Sequence, residues 1–135
     1  MSVRNDAETI IRDTLAACRP DQAVRRALGG KVFSSGRLLL VAIGKAAWQM
    51  ASCAAAELGD RLEEGIVITK YRHSQGPIPR CTIYEAGHPV PDDNSYRATA
   101  AALALVRDLS PEDTVLFLVS GGGSALFESP LIPPA

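Results

Sequence analysis

The sequence predicts an α/β domain of three layers, with helices on both sides of a mainly parallel sheet. Three short apolar runs, "LLLVAI" at 38–43, "GIVIT" at 65–69 and "TVLFLV" at 114–119, are rich in branched side chains, as strands buried on both faces tend to be. Between them, apolar residues recur at the helical period of 3.6. Alternation of the two patterns favours parallel strands joined by right-handed crossovers. The chain has 135 residues, 47% of them hydrophobic, which is enough for one globular domain with its own core.

Each element has its own signal. Asn5 followed by Glu8 has the spacing of a capping box, and Ala7, Ile10, Ile11, Leu15 and Cys18 follow at helical intervals, predicting a first helix. Pro20 at one end and Gly29 at the other bracket a short second helix. "LLLVAI" belongs in mid-sheet. After Gly44 the period changes, and Ala47, Ala51, Ala54, Ala55 and Leu58 form one face of a helix that Gly59 ends. "GIVIT" is the next strand, and the loop "YRHSQGPIPR" leads to a more polar one, "CTIYEA", nearer an edge. A long helix is expected from about Asn94 to Leu109, burying Ala98, Ala101, Ala102, Leu105 and Leu109, with Asp92 and Asp93 at its positive end. "TVLFLV" completes the set as another buried strand. No internal repeat, low-complexity tract or linker interrupts the pattern.

Composition narrows the functional classes. A net charge of −1, with acids and bases dispersed, gives no basic stripe for nucleic acid or an anionic membrane surface. No apolar run reaches the roughly 18 to 20 residues of a bilayer span, and the charged start "MSVRNDAETII" does not read as a signal peptide, so a cytoplasmic location is expected. Cys18, Cys53 and Cys81, an odd number without a CxxC pair, are expected as free and mostly buried thiols.

Ligands of open parallel sheets gather at the carboxyl ends of the strands, where "AIGKAA" and "LVSGGGSAL" are both expected to emerge. Lys45 falls in the opening turn of a helix, where the macrodipole disfavours a cation by about 0.3–1 kcal/mol and a bound anion reverses the sign. Gly121, Gly122 and Gly123 permit positive φ and close backbone approach, and their amides, with the hydroxyls of Ser120 and Ser124, suit phosphate oxygens. A plain tight turn is the alternative, since the segment matches neither GxxxxGK[ST] nor GxGxxG, and lacks the GxSxG elbow. In "GHPVPDDNS" His88 suits a carboxylate or phosphate, against the simpler role of satisfying local backbone. Asp92 and Asp93 read as helix-start acids rather than metal ligands. Lys70 and Arg72 leave the second strand toward the same region, the alternative for both being a hydrated surface cation. His73 adds no stronger signal, and Trp48 reads as packing.

Taken together, "VAIGKAAWQMA" at 41–51, "GIVITKYRH" at 65–73, "EAGHPVPDDNS" at 85–95 and "LVSGGGSALFESP" at 118–130 resemble the amino-terminal domain of the type II glycerate kinases, the family with a MOFRL-type carboxyl-terminal domain. Many of its members carry a hydroxypyruvate reductase label. The resemblance covers nearly the whole chain, residues 1–135, and implies a Rossmann-like domain. With a second domain, absent here, it would close over ATP, magnesium and D-glycerate and move the γ-phosphoryl group to the 2-hydroxyl. By the same resemblance Lys45 neutralises substrate or transferring phosphate, Ser120 to Ser124 contact phosphate or nucleotide, and Gly44, Lys70 and His88 contact substrate. The family's enzymes are considerably longer, so the chain is expected to be a truncated or separately made domain and to lack turnover by itself.

Two rivals stand beside this reading. An NAD(P)H-dependent hydroxypyruvate reductase has the family label in its favour but lacks the dinucleotide fingerprint and its ribose-binding acid. A catalytically silent nucleotide-binding or assembly module would have one wall of a cleft without the other. Apolar surface left uncovered would then favour a homo-oligomer.

Overall fold

The computed structural model describes residues 2–132. Helices α1 (Val3–Ala17) and α2 (Pro20–Leu28) precede β1 (Leu38–Ile43), α3 (Ala47–Leu58), a 3₁₀ turn (Gly59–Arg61), β2 (Glu64–Lys70), β3 (Cys81–Ala86), α4 (Asp93–Leu105), β4 (Thr114–Val119) and the single turn α5 (Gly123–Leu126). The four strands form one parallel sheet in the order β3-β2-β1-β4. This is the expected three-layer α/β architecture.

The layers follow from side-chain alternation. Leu40, Ala42 and Val67 face α3 and pack with Ala47, Ala51 and Ala55, while Val41, Ile43, Ile66 and Ile68 face α4 and pack with Ala98, Ala102 and Leu126. Small residues on α3 let the helix lie close to the sheet, and α2 docks on its outer side through Val24, Leu28, Met50, Cys53 and Ala54. All six residues of β1 are buried, as its apolar run predicts for an interior strand. β3 is an edge, as its polar composition predicts.

Several expectations are corrected. The first helix is capped by Ser2, whose Oγ accepts the Asn5 amide at 3.3 Å, so the cap lies three residues before the Asn5–Glu8 pair. Its apolar stripe is uncovered: α1 buries no residue, and Ile10, Ile11 and Leu15 are 66, 59 and 66% exposed. Helical spacing registers amphipathicity and cannot supply a partner. Cys18 is exposed, Cys53 buried and Cys81 half-buried, all three free, so the thiols are not mostly buried. Burial pushes the Cys81 thiol up to about 11.

α4 ends at Leu105 rather than continuing to Leu109, which stays exposed. The residues beyond it are claimed by another network. Arg37 donates to the Asp113 carboxylate and to the Asp108 carbonyl, and the Ser110 amide donates to Asp113 at 2.9 Å. β4 is only half buried: Leu116 and Leu118 pack toward α3, but Phe117 and Val119, on the other face, are 53 and 66% exposed. α4 lies over β2 and β3 and leaves that part of the sheet bare.

Candidate functional site

The chain runs outward through β1, β2 and β3 in one direction and then returns to place β4 on the other side of β1. The order therefore reverses between β1 and β4, which is where open parallel sheets form a crevice at their carboxyl ends. Both glycine-bearing exits open there. The Lys45 amide donates to the Gly121 carbonyl at 3.0 Å, and the Ala46 amide donates to Ser120 Oγ at 3.0 Å. The two turns are built as one unit.

Gly44 permits that junction. Its φ is +118°, and a Cβ there would lie 2.3 Å from Ser120 Oγ, so a side chain at this position would drive the exits apart. Its amide donates to the Ile68 carbonyl, and its own carbonyl accepts from the buried Thr69 hydroxyl at 3.1 Å. With both backbone groups engaged, Gly44 is part of the frame of the site. Ser120 is used the same way, accepting from Ala46 and donating to the Ile43 carbonyl at 3.4 Å, so its hydroxyl is not a free donor.

Lys45 lies just ahead of α3, whose N-cap is Ala46, rather than inside the first helical turn. It is exposed, and its stem leans on the glycine loop: a Cβ at Gly122 would meet Lys45 Cγ at 3.3 Å and His88 Nε2 at 2.7 Å. Gly122 has φ +86°, so the absent side chain and the left-handed turn together let His88 and Lys45 close on one point. Among the described residues, the amides of Gly121, Gly122, Gly123 and Ser124 find no protein acceptor. Ile43, Val119 and Phe127 add an apolar wall to this loop, lining an open cavity of about 460 Å³.

β2 carries Lys70 to the same end of the sheet, on the face that Ile66 and Ile68 share with α4. Two residues given little weight in the sequence reading come still closer to Lys45. His73 Nδ1 lies 2.9 Å from the Lys45 carbonyl, and Arg72, at φ +66°, lines with Lys45 and His73 a separate cavity of about 240 Å³. Only the run of cationic and imidazole groups in "KYRH" could have flagged them.

Acidic groups nearby are already committed. Asp92 caps α4 by accepting the Ser95 amide at 3.0 Å, and Ser95 Oγ in turn accepts from the Asp92 amide. Burial works against its charge, but bonds from the Tyr71 hydroxyl, the Gly87 and Ser95 amides and the Ser95 hydroxyl prevail and hold its carboxyl below the usual range. The same bond from Tyr71 to Asp92, 2.6 Å long, raises the phenol. Asp92 is a helix-start acid, as read from sequence. Glu85 accepts the Ser74 amide. Among the described residues no three His, Cys, Asp or Glu side chains cluster to hold a metal.

The family model for a domain of unknown function, DUF4147, matches residues 6–133. The chain belongs to the DUF4147 family. Among its relatives, a D-glycerate 2-kinase of Thermotoga maritima is 50% identical over 130 residues, covering 96% of this chain and 31% of that protein. A glycerate 2-kinase of Pyrococcus horikoshii is 35% identical over 140 residues, covering 96% of this chain and 31% of that protein. A shorter match, 44% identical over 95 residues, is to an Agrobacterium vitis protein with a provisional hydroxypyruvate reductase label, covering 70% of this chain and 24% of that protein. A crystal structure of the Thermotoga maritima glycerate kinase superposes on this DUF4147 chain with a TM-score of 0.86 at 51% identity, covering 93% of this chain and 30% of that one. The resemblance read from the four motifs is borne out. The chain spans about a third of the length of the relatives it matches.

Proposed function

We propose that this DUF4147 chain supplies one wall of a phosphotransferase site that moves the γ-phosphoryl group of ATP to the 2-hydroxyl of D-glycerate, the second wall coming from a further domain. The observation that carries the reading is the convergence of Lys45, His88 and four unoccupied amides, 121–124, at the sheet's reversal point. Phosphoryl transfer asks chiefly for positioning and for neutralisation of charge on the phosphoryl oxygens. The amides donate to those oxygens, Lys45 balances their charge, and the apolar wall of Ile43, Val119 and Phe127 suits the less polar part of a nucleotide. His88 Nε2, against Gly122, offers a further hydrogen bond, and Lys70 adds positive charge at the rim.

The glycine loop fits a nucleotide's phosphates, because the missing Cβ at Gly122 lets His88 and Lys45 press close to the backbone and the amides around it are unspent. Magnesium does not fit in the same way: the described residues present no ligand cluster, and Asp92 and Glu85 are occupied within the fold. Three free thiols accord with a cytoplasmic setting, and no helix among the described residues is long and apolar enough to cross a membrane. The bare faces of α1 and β4 support association with the second wall or with another copy.

The test is a chimaera in which this chain replaces the matching segment of the Thermotoga maritima D-glycerate 2-kinase. Phosphorus NMR is expected to show glycerate phosphorylated at position 2 in the presence of ATP, and Lys45→Ala is expected to cut turnover about 100-fold or more. Normal turnover in that variant removes Lys45 from the reaction. NADH oxidation with hydroxypyruvate and no ATP would instead support the reductase label carried by the Agrobacterium vitis relative.

A further inference from the structure

We propose that the cavity walled by Lys45, Ala46, Gln49, Arg72, His73 and Gln75 is the subsite for the substrate's carboxylate, and that Arg72 is the residue that reads it. This inference rests on the phosphotransferase reading above and adds to it a place for the acid end of the acceptor. The lining decides the class of ligand. It holds two cationic side chains, one imidazole and two carboxamides, and no carboxylate. Elsewhere Arg4, Arg19, Arg25, Arg37 and Arg80 are each paired with an acid. The Arg72 guanidinium, like those of Arg26, Arg97 and Arg107, has no hydrogen-bond or ion-pair partner among the described residues, and of these four arginines Arg72 alone lines this cavity.

Its backbone is also unusual. A left-handed φ of +66° is uncommon outside glycine, asparagine and aspartate, and such conformations gather at ligand sites. The turn is held on several sides. His73 and Ser74 amides donate to the Lys70 carbonyl and to Glu85, and Trp48 Nε1 donates to the Gly76 carbonyl at 2.8 Å. Since a carbonyl can only accept, the His73 ring must donate through Nδ1 to Lys45, which ties the arginine's loop to the lysine's. The guanidinium therefore extends from a fixed base, and its fork matches a planar carboxylate.

Size and position complete the argument. At about 240 Å³ the cavity falls below the range of about 300–1,000 Å³ typical of drug-sized ligands, and suits a three-carbon acid better than a nucleotide. Lys45 lines it, and the same side chain lies against Gly121 and Gly122. In a 2-hydroxy acid the carbon bearing the hydroxyl is bonded directly to the carboxylate carbon. Anchoring the acid here brings the 2-hydroxyl, ahead of the 3-hydroxyl, toward Lys45 and the phosphate loop, so Arg72 would determine both substrate class and the position phosphorylated.

The experiment is amide NMR of the ¹⁵N-labelled 135-residue protein, titrated separately with D-glycerate, glycerol and inorganic phosphate. D-glycerate is expected to move the amides of residues 72–75 and the Gln49 and Gln75 side-chain signals, whereas glycerol, with the hydroxyls but no carboxylate, leaves them still. Arg72→Gln, at an exposed position, is expected to weaken the D-glycerate response at least tenfold while the response of residues 121–124 to phosphate persists. The proposal is overturned if D-glycerate leaves 72–75 unmoved, if Arg72→Gln titrates like the parent, or if phosphate moves these signals more strongly than D-glycerate does. Silence of residues 121–124 toward both phosphate and ATP would instead sink the phosphotransferase reading, a separate result.

Discussion

Gly122 gives the site its geometry by what it lacks. A β-carbon there would stand 2.7 Å from His88 Nε2, and the φ of +86° is one that other residues adopt under strain. Gly122→Ala is expected to push His88 away from Lys45, to cost about 1–3 kcal/mol in urea unfolding, and to abolish the phosphate response of the loop amides. A variant that retains the response would show that the loop binds without this close approach. Ser120 illustrates a different economy, since its one hydroxyl both accepts from Ala46 and donates to Ile43. A side chain read from sequence as a phosphate donor here holds two strand exits together.

Among the elements, β1 is the axis of the structure, paired with β2 on one side and β4 on the other and buried throughout. Leu40, fully buried against Ala47, Ala51 and Val67, is expected to cost about 2–5 kcal/mol on truncation to alanine, measured by chemical unfolding. The entry to β4 is secured electrostatically. Asp113, with its side chain 4% exposed, accepts from the Arg37 amide and guanidinium and from the Ser110 amide. Bonds from Arg37 first, and then those amides, hold its carboxyl far below the ordinary value of 3.8. Because the folded-state value is the lower one, Asp113 contributes its full stabilisation above the unfolded value and loses it as pH falls below about 4. Asp113→Asn is expected to lower the melting temperature at neutral pH and to flatten its decline in acid. Parallel declines in the two proteins would assign the acid sensitivity to other groups.

At the scale of the whole molecule, one face of the sheet is finished and the other is not. α2 and α3 cover the first, while α4 covers β2 and β3 and leaves Phe117 and Val119 on β4 largely exposed. Apolar side chains on an edge strand are an association surface, with unpaired backbone groups alongside. Replacing both by threonine, Phe117→Thr with Val119→Thr, is expected to change stability by about 1 kcal/mol or less and to reduce self-association in sedimentation velocity. Unchanged association would point to α1 instead, where Val3, Ile10, Ile11 and Leu15 make a second uncovered stripe.

Local chemistry was enough to predict the strands and helices, the interior place of "LLLVAI", the edge place of "CTIYEA", and the helix starts at Pro20 and Asp92. Those features depend on residue period and on backbone preference, which neighbouring residues express by themselves. Tertiary structure alone decided which apolar stripe found a partner, so α1 and the outer face of β4 remained bare despite the same kind of pattern that buried α3. It also decided that α4 stops at Leu105, because Arg37, far off in sequence, competes for the chain that follows. The meeting of Arg72 and His73 with Lys45 belongs to the same class. Contact across a cleft depends on strand order, and the reversal between β1 and β4 is a property of the folded sheet that no single segment encodes.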